Sequence, residues 1–332
     1  MQRHSTWLGG WLFPVLALLA IGLVPLRAGA AEQFSFVALG DTTYEVPQDD
    51  PVYVSLIGAI NAAAPAFSIH IGDTKGWGLC DDAFQLKQRA YFDSFEAPVV
   101  YTPGNNEWSD CWKENRGSMD PIAVLDSMRR IFWSKSASMG KKTLPLRRQA
   151  DGDDFPAFSE NALWQTEDVT FATIDVVGEN NNQFSRDETL WREFVERERA
   201  NVAWVREAFR AARDSGDKAV VIAMHSDIFL KETDLPQGPF KPVLDAIAEG
   251  AESFPGQVLV VHGHRHQFMV DRPLRKWSDE DTSMTLENLT RLQVYGWPEM
   301  KAVRVSVDTS KPWVFGFEPL YSDSNLSPAF TD

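Results

Sequence analysis

Short apolar runs along this chain give way to segments whose apolar positions recur every three to four residues, and the change of period predicts the elements. Phe34 to Leu39 predicts a strand, with Gly40-Asp41-Thr42-Thr43 as the turn at its carboxyl end. Residues 52–64 predict a helix, 67–71 a second strand closed by Gly72-Asp73, 82–95 a second helix, and 98–102 a third strand running into Pro103-Gly104-Asn105-Asn106-Glu107. Strand, helix, strand, helix, strand, each strand with a polar tip, predicts a parallel sheet whose site lies at the strand carboxyl ends.

Further along, residues 118–133 predict a helix, 134–157 a basic loop or insertion without period, and 162–165 and 169–176 paired strands around Thr166-Glu167-Asp168. Residues 187–214 predict the longest helix, with Trp191, Phe194, Val195, Val202, Val205 and Phe209 as its packing face. A strand over 219–224 ends at His225, a helix covers 242–254, and a strand over 257–261 ends at His262-Gly263-His264-Arg265-His266. The alternating runs 291–295, 302–307 and 312–317 predict antiparallel strands that close a second sheet. The expected architecture is α/β: a four-layer α/β/β/α sandwich of two mixed sheets, in a single domain over residues 31–332.

Residues 1–30 change the picture of where this domain works. Arg3 precedes an apolar stretch from Trp7 to Leu26 and an Ala28-Gly29-Ala30 site, the pattern of a secretory signal peptide. The alternative is an uncleaved anchor, which Gly9, Gly10, Pro14, Gly22 and Pro25 argue against. A secreted or periplasmic protein with no stable membrane anchor after cleavage is expected. Export predicts that Cys80 and Cys111, the two cysteines of the chain, are joined; the alternative is two unrelated buried thiols. The 32 basic against 47 acidic residues give a net charge of −15, and removal of residues 1–30 makes it −17. Such a field disfavours a nucleic-acid partner, and the composition excludes disordered, collagenous and coiled-coil classes.

Five strand ends carry, in order, Asp41, Asp73, Asn105, His225 and the pair His264 and His266. These are oxygen and imidazole donors without a thiolate, and converging strand ends would gather them around metal ions. The runs Gly40-Asp41, Gly72-Asp73, Gly104-Asn105, Met224-His225 and Gly263-His264-Arg265-His266, in this order and spacing, resemble the calcineurin-like metallophosphoesterases, which include the purple acid phosphatases.

The resemblance implies two divalent ions, iron, manganese or zinc, with Asp73 bridging them. Asp41 and His266 would bind the first ion; Asn105, His225 and His264 would bind the second. It also implies an exported phosphoesterase that cleaves a small phosphate mono- or diester through attack of a hydroxide held between the metals. The chain departs from the family pattern twice. Thr43 stands where the first motif usually has histidine, which would weaken the first site unless Tyr44 completes it as a further ligand. Asn106 stands where many members have a histidine at the phosphate; it can orient the phosphate but not donate a catalytic proton, so Lys75 and His262 are the candidates for that role. Lys75 reads equally as a solvated loop lysine, and His70 and His262, inside strands, also read as core or as neighbours of ligands. The competing function is a catalytically weak or inactive relative that keeps the fold and one metal as a binding or sensing protein.

Overall fold

The computed structural model describes residues 1–2, 33–178, 180–183, 187–229, 238–277 and 283–322, the side chains of residues 275–277 and 283–284 excepted. All but the first two residues of the expected signal peptide lie outside these ranges. Among the described residues no helix is long and apolar enough to cross a membrane.

The first half follows the expected alternation: β1 (Phe34–Leu39), α1 (Asp50–Ala63), β2 (Ser68–His70), α2 (Asp82–Phe92), β3 (Val99–Tyr101) and α3 (Pro121–Phe132). Two of these helices start where the local chemistry supplies a cap: the Asp81 carboxylate accepts from Phe84 N ahead of α2, and Asp120 from Ile122 N ahead of α3. After them come β4 (Arg147–Arg148), β5 (Ala162–Thr166), β6 (Val169–Thr173), α4 (Glu188–Ser215), β7 (Ala219–Ala223), α5 (Lys241–Ser253) and β8 (Gln257–His262). The chain closes with β9 (Met269–Asp271), β10 (Arg275–Trp277), β11 (Ser283–Thr285), β12 (Leu289–Gln293), β13 (Ala302–Val307) and β14 (Phe315–Leu320).

The strands form two mixed sheets and the small antiparallel pair β10–β11. The first sheet has the order β14-β13-β1-β2-β3, with β1, β2 and β3 parallel and β13 antiparallel to β1. The second has the order β4-β5-β6-β7-β8-β12-β9, parallel from β6 to β12.

The tail departs from expectation. Its three runs do not close one sheet together: β12 lies parallel to β8 in the second sheet, whereas β13 and β14 return to the first. Alternation identifies a strand and its buried face but not which open sheet edge will receive it. The segment expected to be a loop likewise contributes β4 to an edge of the second sheet and pairs Met139 with Val99 beside the first.

Both faces of the central strands are buried, which is why they read as continuous apolar runs. Phe36 and Ala38 of β1 share a core with Phe67, Trp164, Phe171, Val221 and Leu259, drawn from both sheets. Val37 and Leu39 point the other way, into a core with Tyr53, Leu56 and Ile60 of α1 and Leu125 and Met128 of α3. In the second sheet Val220 and Ile222 join Val205 and Phe209 of α4 and Val243 and Ile247 of α5. Truncating a buried aromatic such as Phe171 at such a junction costs about 3–5 kcal/mol.

The packing face of α4 is rotated from the expected one. Trp191 is exposed and Val195 and Val202 half-buried, whereas Arg197 and Asn201 are buried with Phe194, Trp204, Val205, Ala208 and Phe209. The polar pair is buried because it is bonded: Arg197 donates to Asn181 Oδ1, Asn181 O and Asp175 O and pairs with Glu193, and Asn201 donates to Asp175 O.

Candidate functional site

The parallel strands of both sheets end along one edge, and the turns after them bring the polar tips together. Asp41 N donates to Gly72 O at 2.9 Å, Thr42 N to Asp73 O at 3.1 Å, and Trp297 N to Asp41 O at 2.8 Å. Asp41, Asp73, His264 and His266 all adopt left-handed backbone, with φ of 51°, 49°, 70° and 58°. Each such residue carries roughly 1–3 kcal/mol of strain that the surrounding packing must hold, a pattern that concentrates at functional sites. Two glycines make this close approach possible: a Cβ on Gly104 would lie 2.2 Å from Asp73 Oδ1, and one on Gly263 would lie 2.1 Å from Asp41 Oδ2.

At the centre, His225 is fully buried with Nδ1 on Ile71 O at 3.0 Å. That carbonyl takes the Nδ1 proton and turns Nε2 toward Asn105 Oδ1 at 3.0 Å, Asp73 Oδ1 at 3.5 Å and His264 Nδ1 at 3.3 Å. Asn105 is fixed in turn, its Nδ2 donating to Asp110 Oδ2 and Asn106 Oδ1, both at 2.9 Å, so that Oδ1 faces the histidine. Ligand atoms of Asp73, His225 and His264 lie within 4.8 Å of one another, a buried group that can hold a metal ion.

Beside this group stand the other carboxylate and histidine. His266 Nδ1 contacts Trp297 O at 2.6 Å, leaving Nε2 at 2.9 Å from the Tyr44 hydroxyl and 3.4 Å from Asp41 Oδ1. The Tyr44 hydroxyl donates to Asp73 Oδ2 at 2.7 Å, and its ring stacks on Trp297. Asp41 Oδ2 accepts from His264 N at 3.0 Å, while Asp41 Oδ1, fully buried, has no hydrogen-bond partner among the described residues. A buried oxygen left bare among imidazoles is costly for a closed polar network and suited to a cation. The donor set and this orphaned atom therefore fit a metal.

The electrostatics agree. Burial pushes the Asp73 carboxyl up to about 7, against the opposing pull of His225. For His225 burial opposes protonation, but the charges of Asp73, Asp41 and Glu107 outweigh it and raise the imidazole above its ordinary value. Burial and the neighbouring His225 push His264 down to about 3, so it stays a neutral donor. Burial also works against ionisation of Asp41, yet the imidazole of His266 3.4 Å from Oδ1, the charges of His225 and His266 and the hydrogen bond from His264 N hold it below the usual carboxylate value. Tyr44 is held well above the ordinary phenol value by burial and by the charges of Asp73 and Asp41.

Thr43 does not face this cluster: its hydroxyl is on Thr42 O at 2.7 Å and Thr74 O at 2.6 Å. The side chains of Lys75, His262 and Asn106 are each engaged by other parts of the protein. Lys75 is buried with Nζ on Gly78 O at 2.9 Å, Leu79 O at 2.7 Å and Cys80 Sγ at 3.1 Å, so all three N–H groups are engaged by the loop. It is neither a solvated lysine nor free to bind a phosphate, and burial pushes its ammonium down to about 7. His262 points into the second sheet's surroundings, its Nδ1 3.1 Å from Gly263 O and its Nε2 3.8 Å from Asp227 Oδ1, with Phe229 against the ring. Asn106 joins the cluster through its backbone, donating N–H to Asp73 Oδ1 at 2.9 Å, while its side chain donates to Lys75 O and accepts from Asn105. His70 is a core residue, accepting from Gly72 N and packed on Phe92 and Tyr101.

Cys80 and Cys111 are disulfide-bonded, with Cα atoms 5.9 Å apart, and join the loops that follow β2 and β3. A disulfide fits a non-cytoplasmic compartment. Pattern reading passed over the groups that aim the donors: Asp110, the carbonyls of Ile71 and Trp297, and Glu107, whose buried carboxylate accepts from Tyr101 Oη and Gly104 N, both at 2.8 Å. Glu107 and Asp110 had a local signal, acids in the turn following Asn105; a carbonyl carries none.

No protein-family model matches the chain, and no curated protein matches it. Among solved structures it is similar to one described as GAP50, the anchor in the inner membrane complex of Plasmodium, at 10% identity and a TM-score of 0.44, over 87% of this chain and 89% of that one.

Proposed function

We propose that this chain is an exported, metal-dependent phosphoesterase related to the calcineurin-like metallophosphoesterases, acting in the periplasm or outside the cell on a small phosphate ester. In this reading the two sheets and their helices form an α/β/β/α sandwich, supported by a middle core shared between the sheets and two outer cores against helices. The observation that carries the proposal is the meeting of Asp41, Asp73, Asn105, His225, His264 and His266 at one edge, with Tyr44 Oη between Asp73 and His266.

Asp73, Asn105, His225 and His264 would hold one ion, and Asp41, His266, Tyr44 and Asp73 would hold the other. Bound metals supply charge stabilisation and a nucleophile at neutral pH. The protein's part is to orient the donors through Ile71, Asp110 and Trp297, to keep His264 neutral, and to hold Asp73 in place with Asn106 N. Tyr44 fills the place that Thr43 leaves open.

Metal content per chain by elemental mass spectrometry, on protein purified without chelator and incubated with manganese, iron or zinc, tests the reading. Two ions in the wild type and loss of both in Asp73→Asn are expected; full metal content in Asp73→Asn would overturn it. A single ion in the wild type would favour the competing binding or sensing protein, since Asp73, His225 and His264 form the compact group.

A further inference from the structure

A cleft of about 470 Å³ opens directly from the donor cluster, with Asn105 and His264 at its inner end. Its volume lies within the ~300–1,000 Å³ usual for small-molecule sites. The walls come from the loop after β3, with Trp112 and the Asp110–Lys113 ion pair, and from the loop after β6, with Asn180 and Asn182.

The second wall is built rather than incidental. Asn181 and Asn182 both adopt left-handed backbone, with φ of 49° and 55°, and Arg197 holds Asn181 from beneath through its Oδ1 and its carbonyl. Asn182 is 2% exposed; its Nδ2 donates to Glu193 Oε2 at 3.2 Å, and its Oδ1 has no hydrogen-bond partner among the described residues. The lining carries no net charge once Asp110 and Lys113 are paired, which matches a neutral leaving group. It has a single aromatic surface, the 48% exposed Trp112, with the Lys113 ammonium 5.9 Å from its ring centre and amide and carboxylate groups around it. An apolar chain would find walls that are more polar than apolar, and a nucleobase only one stacking face. A hydroxyl-rich ring presents a C–H face to an indole and hydroxyls that donate and accept around its rim.

We infer that the leaving group is a sugar, so that the substrate class is a sugar phosphate with its phosphate at the donor cluster and its ring against Trp112. The inference rests on the phosphoesterase reading. In the step it implies, a water oxygen bonds to phosphorus, the phosphorus–oxygen bond to the sugar breaks, and the departing oxygen gains the proton that the water loses, giving the free sugar and inorganic phosphate.

The test compares glucose 6-phosphate, adenosine 5′-monophosphate and methyl phosphate as substrates of the metal-replete protein, and follows binding of glucose to the metal-free protein by saturation-transfer NMR. Glucose 6-phosphate should lead through a lower KM. Trp112→Ala should raise that KM roughly fivefold and the KM for methyl phosphate by much less, Trp112→Phe should restore most of the loss, and the glucose NMR signal should disappear in Trp112→Ala. Equal kcat/KM for methyl phosphate and glucose 6-phosphate, preference for the nucleotide, or an unaffected KM in Trp112→Ala would overturn the inference. If metal-replete protein hydrolyses no ester, the phosphoesterase reading fails by itself, and glucose binding then decides the cleft separately: a Trp112-dependent signal upholds the sugar site and its absence overturns it.

Discussion

The Tyr44 hydroxyl donates to Asp73 Oδ2 across 2.7 Å, joining the turn after β1 to the turn after β2. Its oxygen also lies 2.9 Å from His266 Nε2, so the phenol occupies the space between two expected metal donors. If it completes the first site, Tyr44→Phe should lower the metal content from two ions per chain to one while leaving the fold intact by circular dichroism. Two tightly held ions in Tyr44→Phe would remove Tyr44 from the ligand set.

Metal uptake should depend on pH in a defined direction. Asp73 is pushed up to about 7 and His225 is raised above its ordinary value by the charge of Asp73, so lowering the pH adds protons to this pair that a metal must displace. Affinity should therefore fall as pH drops from 8 to 6, and binding should release protons into a weakly buffered solution. Calorimetry in buffers of different ionisation enthalpy measures the number released; none at pH 6.5 would contradict the protonated cluster.

Lys75 should matter for stability rather than for phosphate. Replacing it by Met removes the ammonium's hydrogen bonds to the Gly78 and Leu79 carbonyls, bonds to a charged group that each contribute about 1.5–3 kcal/mol. The expected result is a lower thermal midpoint with an unchanged inhibition constant for inorganic phosphate. A large rise in that constant at unchanged stability would return Lys75 to the site.

Opening the Cys80–Cys111 bridge frees a loop of sequence separation 31 in the unfolded chain. Urea denaturation with and without reductant should differ by roughly 3–4 kcal/mol in the chain-entropy account. Because the bridge joins the loops that carry Lys75 and Asn106, metal affinity should fall on reduction as well. Stability and affinity both indifferent to reductant would show that the bridge does not support the site.

Much of the site was readable along the chain because its donors obey a local rule: each follows an apolar strand and sits in a turn. Asp41, Asp73, Asn105, His225, His264 and His266 could be picked out on that basis. Lys75 and His262 could not be judged the same way. Where a side chain of a turn or strand points depends on what the fold brings against it, and here Lys75 meets three loop acceptors whereas His262 meets Asp227 and Phe229.

The same division runs through the fold. Alternating and helical periods follow from backbone geometry, which acts over a few residues, so the strands from β1 to β8, the short edge strand β4 excepted, and the helices between them could be placed from the chain alone. That β12 joins the second sheet while β13 crosses back to pair with β1 is a choice between distant sheet edges, and neighbouring residues do not encode it. The burial of Arg197 in α4 is of the same kind. Its charge argues for solvent, and only the packed structure supplies the Asn181, Asp175 and Glu193 partners that make burial tolerable. Local chemistry names the groups available to the site; long-range packing decides which of them share a cavity and which are satisfied elsewhere.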